Sequence, residues 1–293
     1  MSLAIDGVYG LGWLRDYPDF RDFTIEHDEI KPLMEKIGIK GTTSKTSLPV
    51  KVDLRKWCPP IETQGRLGSC TANAAVGLVE YYEKRAFGKY INASRLFLYK
   101  ATRNLLHWTG DTGAFLRTTM GAMVLFGCPP EEYWPYDIDD FDKEPSPFCY
   151  AFAQNFQAIR YFRLDPPGTS KNVLLKRIKM LLRYGLPSMF GFTVFSSIRQ
   201  AATDGLIPYP SSGERIKGGH AVMAVGYDNG KKIKNTADGS ETKGALLIRN
   251  SWGPSWGDGG YGWLPYDYVL KGLAVDWWSL LKNEWVDTDA FKR

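Results

Sequence analysis

Gln64-Gly65-Arg66-Leu67-Gly68-Ser69-Cys70-Thr71-Ala72-Asn73-Ala74-Ala75 opens as turn chemistry and closes as helix. Two glycines and a serine give way to small residues, then to Val76, Leu78, Val79, Tyr81 and Tyr82 on a recurring apolar face. That spacing predicts a helix from Cys70 to about Phe87. Cys70 stands at the junction of turn and helix. There the positive end of the helix dipole favours thiolate over thiol. Gln64, six residues earlier, carries a neutral amide able to donate to a developing oxyanion. A buried, inert cysteine under a loop is the competing reading, so the rest of the chain has to decide.

A nucleophilic thiol needs a base, usually histidine. The chain has three: His27, His107 and His220. His27 lies in a charged segment and His107 in a polar run, where a surface or packed histidine is the ordinary reading. His220 stands in Gly218-Gly219-His220-Ala221-Val222-Met223-Ala224-Val225, at the mouth of an apolar run that reads as a buried strand. Its second ring nitrogen needs an orienting partner. The following strand, Ala245-Leu246-Leu247-Ile248-Arg249, ends in Asn250-Ser251-Trp252-Gly253. A hairpin of these two strands sets His220 beside Asn250, with Trp252 placed to cover their contact.

Gln64…Cys70, Gly219-His220-Ala221 and Asn250-Ser251-Trp252-Gly253, in that order, resemble the papain family of cysteine peptidases, and within it the bacterial members. The resemblance covers roughly residues 48–268. It departs at Leu67, where the family usually has a cysteine, and at Thr71, where it usually has an aromatic residue. The first change removes a family disulfide, and the second alters packing beside the cleft. The resemblance implies an α+β fold of two lobes with the cleft between them: a helical lobe over about residues 48–165 and an antiparallel, barrel-like lobe over about 166–293. It implies a cysteine endopeptidase in which Cys70 attacks, His220 transfers protons, Asn250 orients His220 under Trp252, and Gln64 holds the oxyanion. It further implies that Thr112 and Gly113 line the substrate backbone. Phe115, Gly191 and Ala221 then line the pocket for the residue two before the cut. With little bulk at Gly191 and Ala221, that pocket is expected to be roomy and apolar.

Composition bounds the rest. A chain of 293 residues with 44% hydrophobic content can bury two lobes, and a net charge of +5 does not argue for nucleic acid. Four cysteines are too few for a disulfide scaffold. Cys58, Cys128 and Cys149 are expected to pack and to react more slowly than Cys70, with one disulfide left open. No stretch is long and apolar enough to span a membrane, and no secretory signal is visible. No metal spacing or phosphate loop stands out, so no cofactor is expected. Peptides or proteins are the expected partners, and a monomer the expected state. The acidic run Asp137, Asp139, Asp140, Asp142 and Glu144 reads as a solvated loop, and the lysine-rich stretch 228–243 as a protruding hairpin.

Residues 1–47 read as a short prosegment-like region, zymogen fashion, ahead of a peptidase domain over 48–293. The region holds Tyr9, Trp13, Tyr17 and Phe20, a weak helical pattern through Ile30, Leu33, Met34 and Ile37, and a polar linker over 41–47. Those aromatic residues suit a cleft that binds extended chain, and Gly10 and Gly12 allow close backbone approach, so intramolecular inhibition is expected. Permanent packing against a lobe away from Cys70 is the alternative. Two other functions stay open: an acyl or transglutaminyl transferase using the same cysteine and histidine, and a papain-like binding domain without turnover, which usually lacks the nucleophile.

Overall fold

The computed structural model describes residues 3–40, 47–156 and 160–291. The linker expected over 41–47 lies, except for Ser47, outside them. The chain begins with three short strands, β1 (Leu3–Ile5), β2 (Tyr9–Leu11) and β3 (Trp13–Leu14), then helix α1 (Lys31–Lys36) and strand β4 (Lys51–Asp53). Helices α2 (Cys70–Phe87), α3 (Arg95–Leu105), α4 (Leu116–Phe126) and α5 (Pro147–Ala153) follow, with the short strand β5 (Ala114–Phe115) ahead of α4. Then come β6 (Arg160–Arg163), α6 (Lys171–Arg183), β7 (Ser188–Phe195), β8 (Ile216–Lys234), β9 (Glu241–Arg249) and β10 (Tyr261–Pro265). Helix α7 (Tyr266–Leu270), strand β11 (Ala274–Leu281) and helix α8 (Asn283–Val286) complete the order.

Most of α2 is buried, Cys70 through Leu78 without a break. Small residues make this possible. Gly77 faces the Arg249 guanidinium, which an added Cβ would press against. The helix stops at Gly88, whose positive φ lets the chain turn out of it. Against α2 packs an antiparallel sheet in the order β10-β9-β8-β7-β11-β6, with β4 pairing β8. Helices α2 to α5 thus precede strands β6 to β11 in sequence, and the site lies where the start of α2 meets strands β8 and β9. Trp277, Trp278 and Trp285 are core residues of the closing segment.

The acidic run is not simply solvated. Asp142 accepts from the fully buried Arg103 (2.7 Å) and from the Gly110 N–H (3.0 Å), tying the loop to α3. A buried guanidinium needs a counter-charge, and Arg103 supplies the reason for the acid.

Candidate active site

Cys70 is the first residue of α2 and is fully buried. The N–H groups of Ala221 and Gly12 donate toward its sulfur. On β8, His220 is also fully buried. Its Nε2 lies 2.8 Å from Asn250 Oδ1. The Ser251 N–H donates to the same oxygen at 2.8 Å. With two donors fixing that oxygen as acceptor, Nε2 carries the hydrogen. Nδ1 is then left with a lone pair and, among the described residues, no hydrogen-bond partner. The Trp252 ring stacks on His220 with centroids 4.5 Å apart, covering the His220–Asn250 bond from water. Antiparallel pairing of β8 with β9, Met223 opposite Arg249, is what brings two residues 30 positions apart into contact.

Gln64 is held from three sides. Its N–H donates to Ser251 O (2.8 Å), and its Oε1 accepts from Ser251 Oγ (2.6 Å). Its Nε2 donates to Leu67 O (2.8 Å) and to Gly10 O (3.1 Å). The Gly10 carbonyl comes from the N-terminal segment, which runs through the cleft. The Gly10 N–H donates to Gly65 O at 2.9 Å, and Gly12 O accepts from the Ala114 N–H at 2.8 Å. Strand β3 pairs in parallel with β5, Trp13 opposite Ala114 and Leu14 opposite Phe115. A Cβ on Gly10 would overlap the Leu67 carbonyl, and one on Gly12 the Gly68 carbonyl. Only glycine permits backbone to lie on backbone there.

The expected substrate-binding residues all touch this segment or its surroundings. Gly113 has a positive φ, and an added Cβ would meet the Gly12 backbone. Thr112 lines the same surface recess as Leu14, His107 and Trp108. Phe115 packs against Trp108 and Tyr17. Gly191, paired with Ala221 across β7 and β8, lies under the Trp13 indole so closely that a Cβ would sit inside the ring. Tyr9 stacks on Trp252, 5.0 Å between centroids. The segment therefore occupies the cleft, in place of packing away from Cys70.

Burial reverses one expectation. It pushes the Cys70 thiol up to about 11, against the N–H groups that favour the thiolate. Burial likewise pushes His220 down to about 4, against its bond to Asn250. Burial thus favours the neutral thiol and the neutral imidazole in the closed chain. The dipole argument for Cys70 as the readily ionised thiol ignored the segment that seals it. Cys58 is also pushed to about 11 and Cys128 well upward, both by burial. All four cysteines are free.

Sequence reading missed a supporting network. Asp111 Oδ1 accepts from the Gly68 N–H (2.9 Å) and from Tyr99 OH (2.7 Å), and Tyr99 OH accepts from the Gly113 N–H (3.0 Å). It ties the loop before Cys70 to the Gly113 edge. Asp111 directly precedes the expected Thr112-Gly113 pair and was the available signal. Gly219 also went unlisted, yet a Cβ there would strike the Trp13 carbonyl and ring.

Residues 48–270 match the sequence model of the papain family cysteine protease. The chain belongs to the papain family of cysteine proteases. A peptidase C1-like protein of Acanthamoeba polyphaga mimivirus is 32% identical over 280 residues, covering 92% of this chain and 86% of its own. Among solved structures, xylellain, a cysteine protease from Xylella fastidiosa, is 31% identical, covers 92% of this chain and 95% of its own, and superposes with a TM-score of 0.71. Mouse cathepsin K is 28% identical over 218 residues, 73% of this chain and 59% of its own. As a family member the chain is a peptide hydrolase of mixed helical and sheet architecture. These relatives come from a virus, a bacterium and an animal, so family likeness leaves the bacterial expectation open.

Proposed function

We propose that the chain is a cysteine endopeptidase whose own N-terminal segment closes its cleft. The observation that carries this reading is the N-terminal segment's backbone on two groups, with the Gly10 carbonyl on the Gln64 amide and the Gly12 N–H on the Cys70 sulfur. A substrate carbonyl in that place would lie against the donor that later holds its oxyanion. When the segment leaves, water reaches Cys70 and His220, the burial that keeps both neutral is relieved, and a proton passes from thiol to imidazole. The Cys70 thiolate attacks the scissile carbonyl carbon. The oxyanion takes donors from Gln64 Nε2 and the Cys70 N–H, and His220 gives its proton to the leaving amine. His220 then takes a proton from water, the hydroxide adds to the thioester, and collapse returns Cys70. Asn250 holds the imidazole, and Trp252 keeps water from their bond.

Endopeptidase action follows from the path of the segment. The segment enters and leaves the groove as continuous chain, with Leu3–Ile5 before it and Asp16 after it. A groove that passes chain at both ends does not need a terminus. The test is cleavage of a peptide blocked at both ends by the full chain, at the rate its open form allows, and by Cys70→Ala. Cleavage by the first and none by the second is expected. Hydrolysis confined to peptides with a free terminus would refute the endopeptidase reading.

A further inference from the structure

The geometry points to two devices in the N-terminal segment, joined at Leu14 and Arg15: residues 3–14 are a strap that swings out of the groove, and residues 16–39 are a permanent part of the fold, so that opening and not removal switches the enzyme. This rests on the reading of Cys70 as the nucleophile.

The two halves bind differently. The strap uses contacts that water or a substrate backbone can replace: the Gly10 pair with Gly65, the Gly12 bond from Ala114, and the Gln64 donor. Its hydrophobic side chains enter a groove that is a binding surface when vacant. Leu14 and Arg15 are exposed. Asp16, one residue on, is 4% exposed. Its N–H donates to Asp276 Oδ2 (2.7 Å), and its Oδ2 accepts from the Arg117 N–H (3.1 Å) and Trp278 Nε1 (3.2 Å).

From there the chain is built into the body. Asp22 pairs with Arg117 (2.6 Å) and with the buried Arg163 (3.4 Å). The Arg163 N–H donates to Phe23 O (2.7 Å). Ile30 and Ile37 are fully buried and Met34 nearly so. Removing residues 16–39 would uncover these contacts and take from Arg117 both of its carboxylate partners, Asp16 and Asp22, which is destabilising for a partly buried ion. A hinge at an exposed dipeptide, between a replaceable contact set and an irreplaceable one, is where the chain can move at least cost.

The test uses the full chain and two substitutions. Gly12→Ala places a methyl against the Gly68 carbonyl and forces the strap out. Ile37→Ala trims the permanent half. Iodoacetamide labelling of Cys70, melting temperature, intact mass and cleavage of a blocked peptide are read on each. Gly12→Ala should label at Cys70 at least tenfold faster, and should cleave with its intact mass retained. Ile37→Ala should melt several degrees lower with Cys70 labelling unchanged. The proposal falls if Gly12→Ala leaves Cys70 protected, if cleavage appears only in molecules that have lost residues through 47, or if Ile37→Ala exposes Cys70 as much as Gly12→Ala does. Faster labelling without cleavage in any form supports the hinge and sinks the peptidase reading instead.

Discussion

Trp13→Ala measures how tightly the cleft is closed. The indole is 8% exposed and rests on Gly191 and Gly219, neither of which has a Cβ to fill its place. Aromatic side chains of this kind bury roughly 150–250 Å², which at about 25 cal/mol per Å² is ~4–6 kcal/mol as an upper bound. Truncation of a buried tryptophan to alanine typically costs about 3–5 kcal/mol. Taking ~3 kcal/mol as the part lost from closing alone, the closed-to-open ratio falls on the order of 100-fold. Cys70 reacts only when the strap is open, so its labelling rate should rise by about the same factor until the open form dominates. The assay is timed iodoacetamide labelling read by peptide mass spectrometry, beside the initial rate of peptide cleavage. Phe20→Ala is the control, because that ring is 97% exposed and packs on nothing that closes the groove. A Trp13→Ala chain labelling less than about threefold faster than the unsubstituted one, with its fold intact, would refute the reasoning.

In a chain opened by Gly12→Ala, Gln64→Ala should lower kcat on the order of 100- to 1000-fold with little change in KM, because that donor counts most when the oxyanion forms. His220→Ala should be inactive, whereas Asn250→Ala should retain part of the rate, since Asn250 orients the ring and moves no proton. Cys58 and Cys128, raised by burial in the body and not by the strap, should stay protected in both Gly12→Ala and Trp13→Ala. Asp276's contribution to stability should fall as pH rises from about 4 to about 7: burial, with Asp16 beside it, pushes Asp276 up to about 7, so that contribution is complete below the unfolded value of about 3.9 and is lost as pH rises through the folded one. Arg163, Asp16 and Asp165 face Asp276, and Asp276→Asn, which tolerates the positive φ at that site, should flatten the denaturant-midpoint profile across that range.

Long periodic elements were legible and short tertiary ones were not. The helix from Cys70 to Phe87 and the strand through His220 follow from local spacing and from the glycines at their ends, which act within a few residues. Strand β11 escaped, because Ala274-Val275-Asp276-Trp277-Trp278 is buried on both faces and carries no alternation. Asp142 read as solvated acid because its partner Arg103 lies 39 residues away in sequence, and no periodicity links them. The places of Gln64, Cys70, His220 and Asn250 at a turn, a helix start and two strands were legible for a different reason. The sequence marks each of those places with a neighbouring glycine or serine: Gly65, Ser69, Gly219 and Ser251.

The N-terminal segment shows where one-dimensional reading divides. Gly10 and Gly12 among aromatic residues announced a chain that must lie close to another backbone, and it does so at Leu67 and Gly68. The pattern Ile30, Leu33, Met34, Ile37 announced an amphipathic turn, and all four residues are buried. Read together as one prosegment, these signals obscure a conflict. A removable segment should not carry the counter-charges of an arginine in the body, yet Asp16 and Asp22 are the carboxylates that pair with Arg117. Carboxylates outnumber their partners in that cluster: Asp16, Asp22, Asp165 and Asp276 share Arg117 and Arg163. With two guanidiniums among four acids, at least one carboxyl is favoured as the neutral acid, and burial raises Asp16, Asp165 and Asp276 accordingly. Such a cluster resists loss of the segment, because Asp16 and Asp22 leave together and Arg117 then has no carboxylate partner among the described residues. It is therefore an anchor by construction. The glycines ahead of it, which offer backbone and no side chain to hold, are what the groove can release.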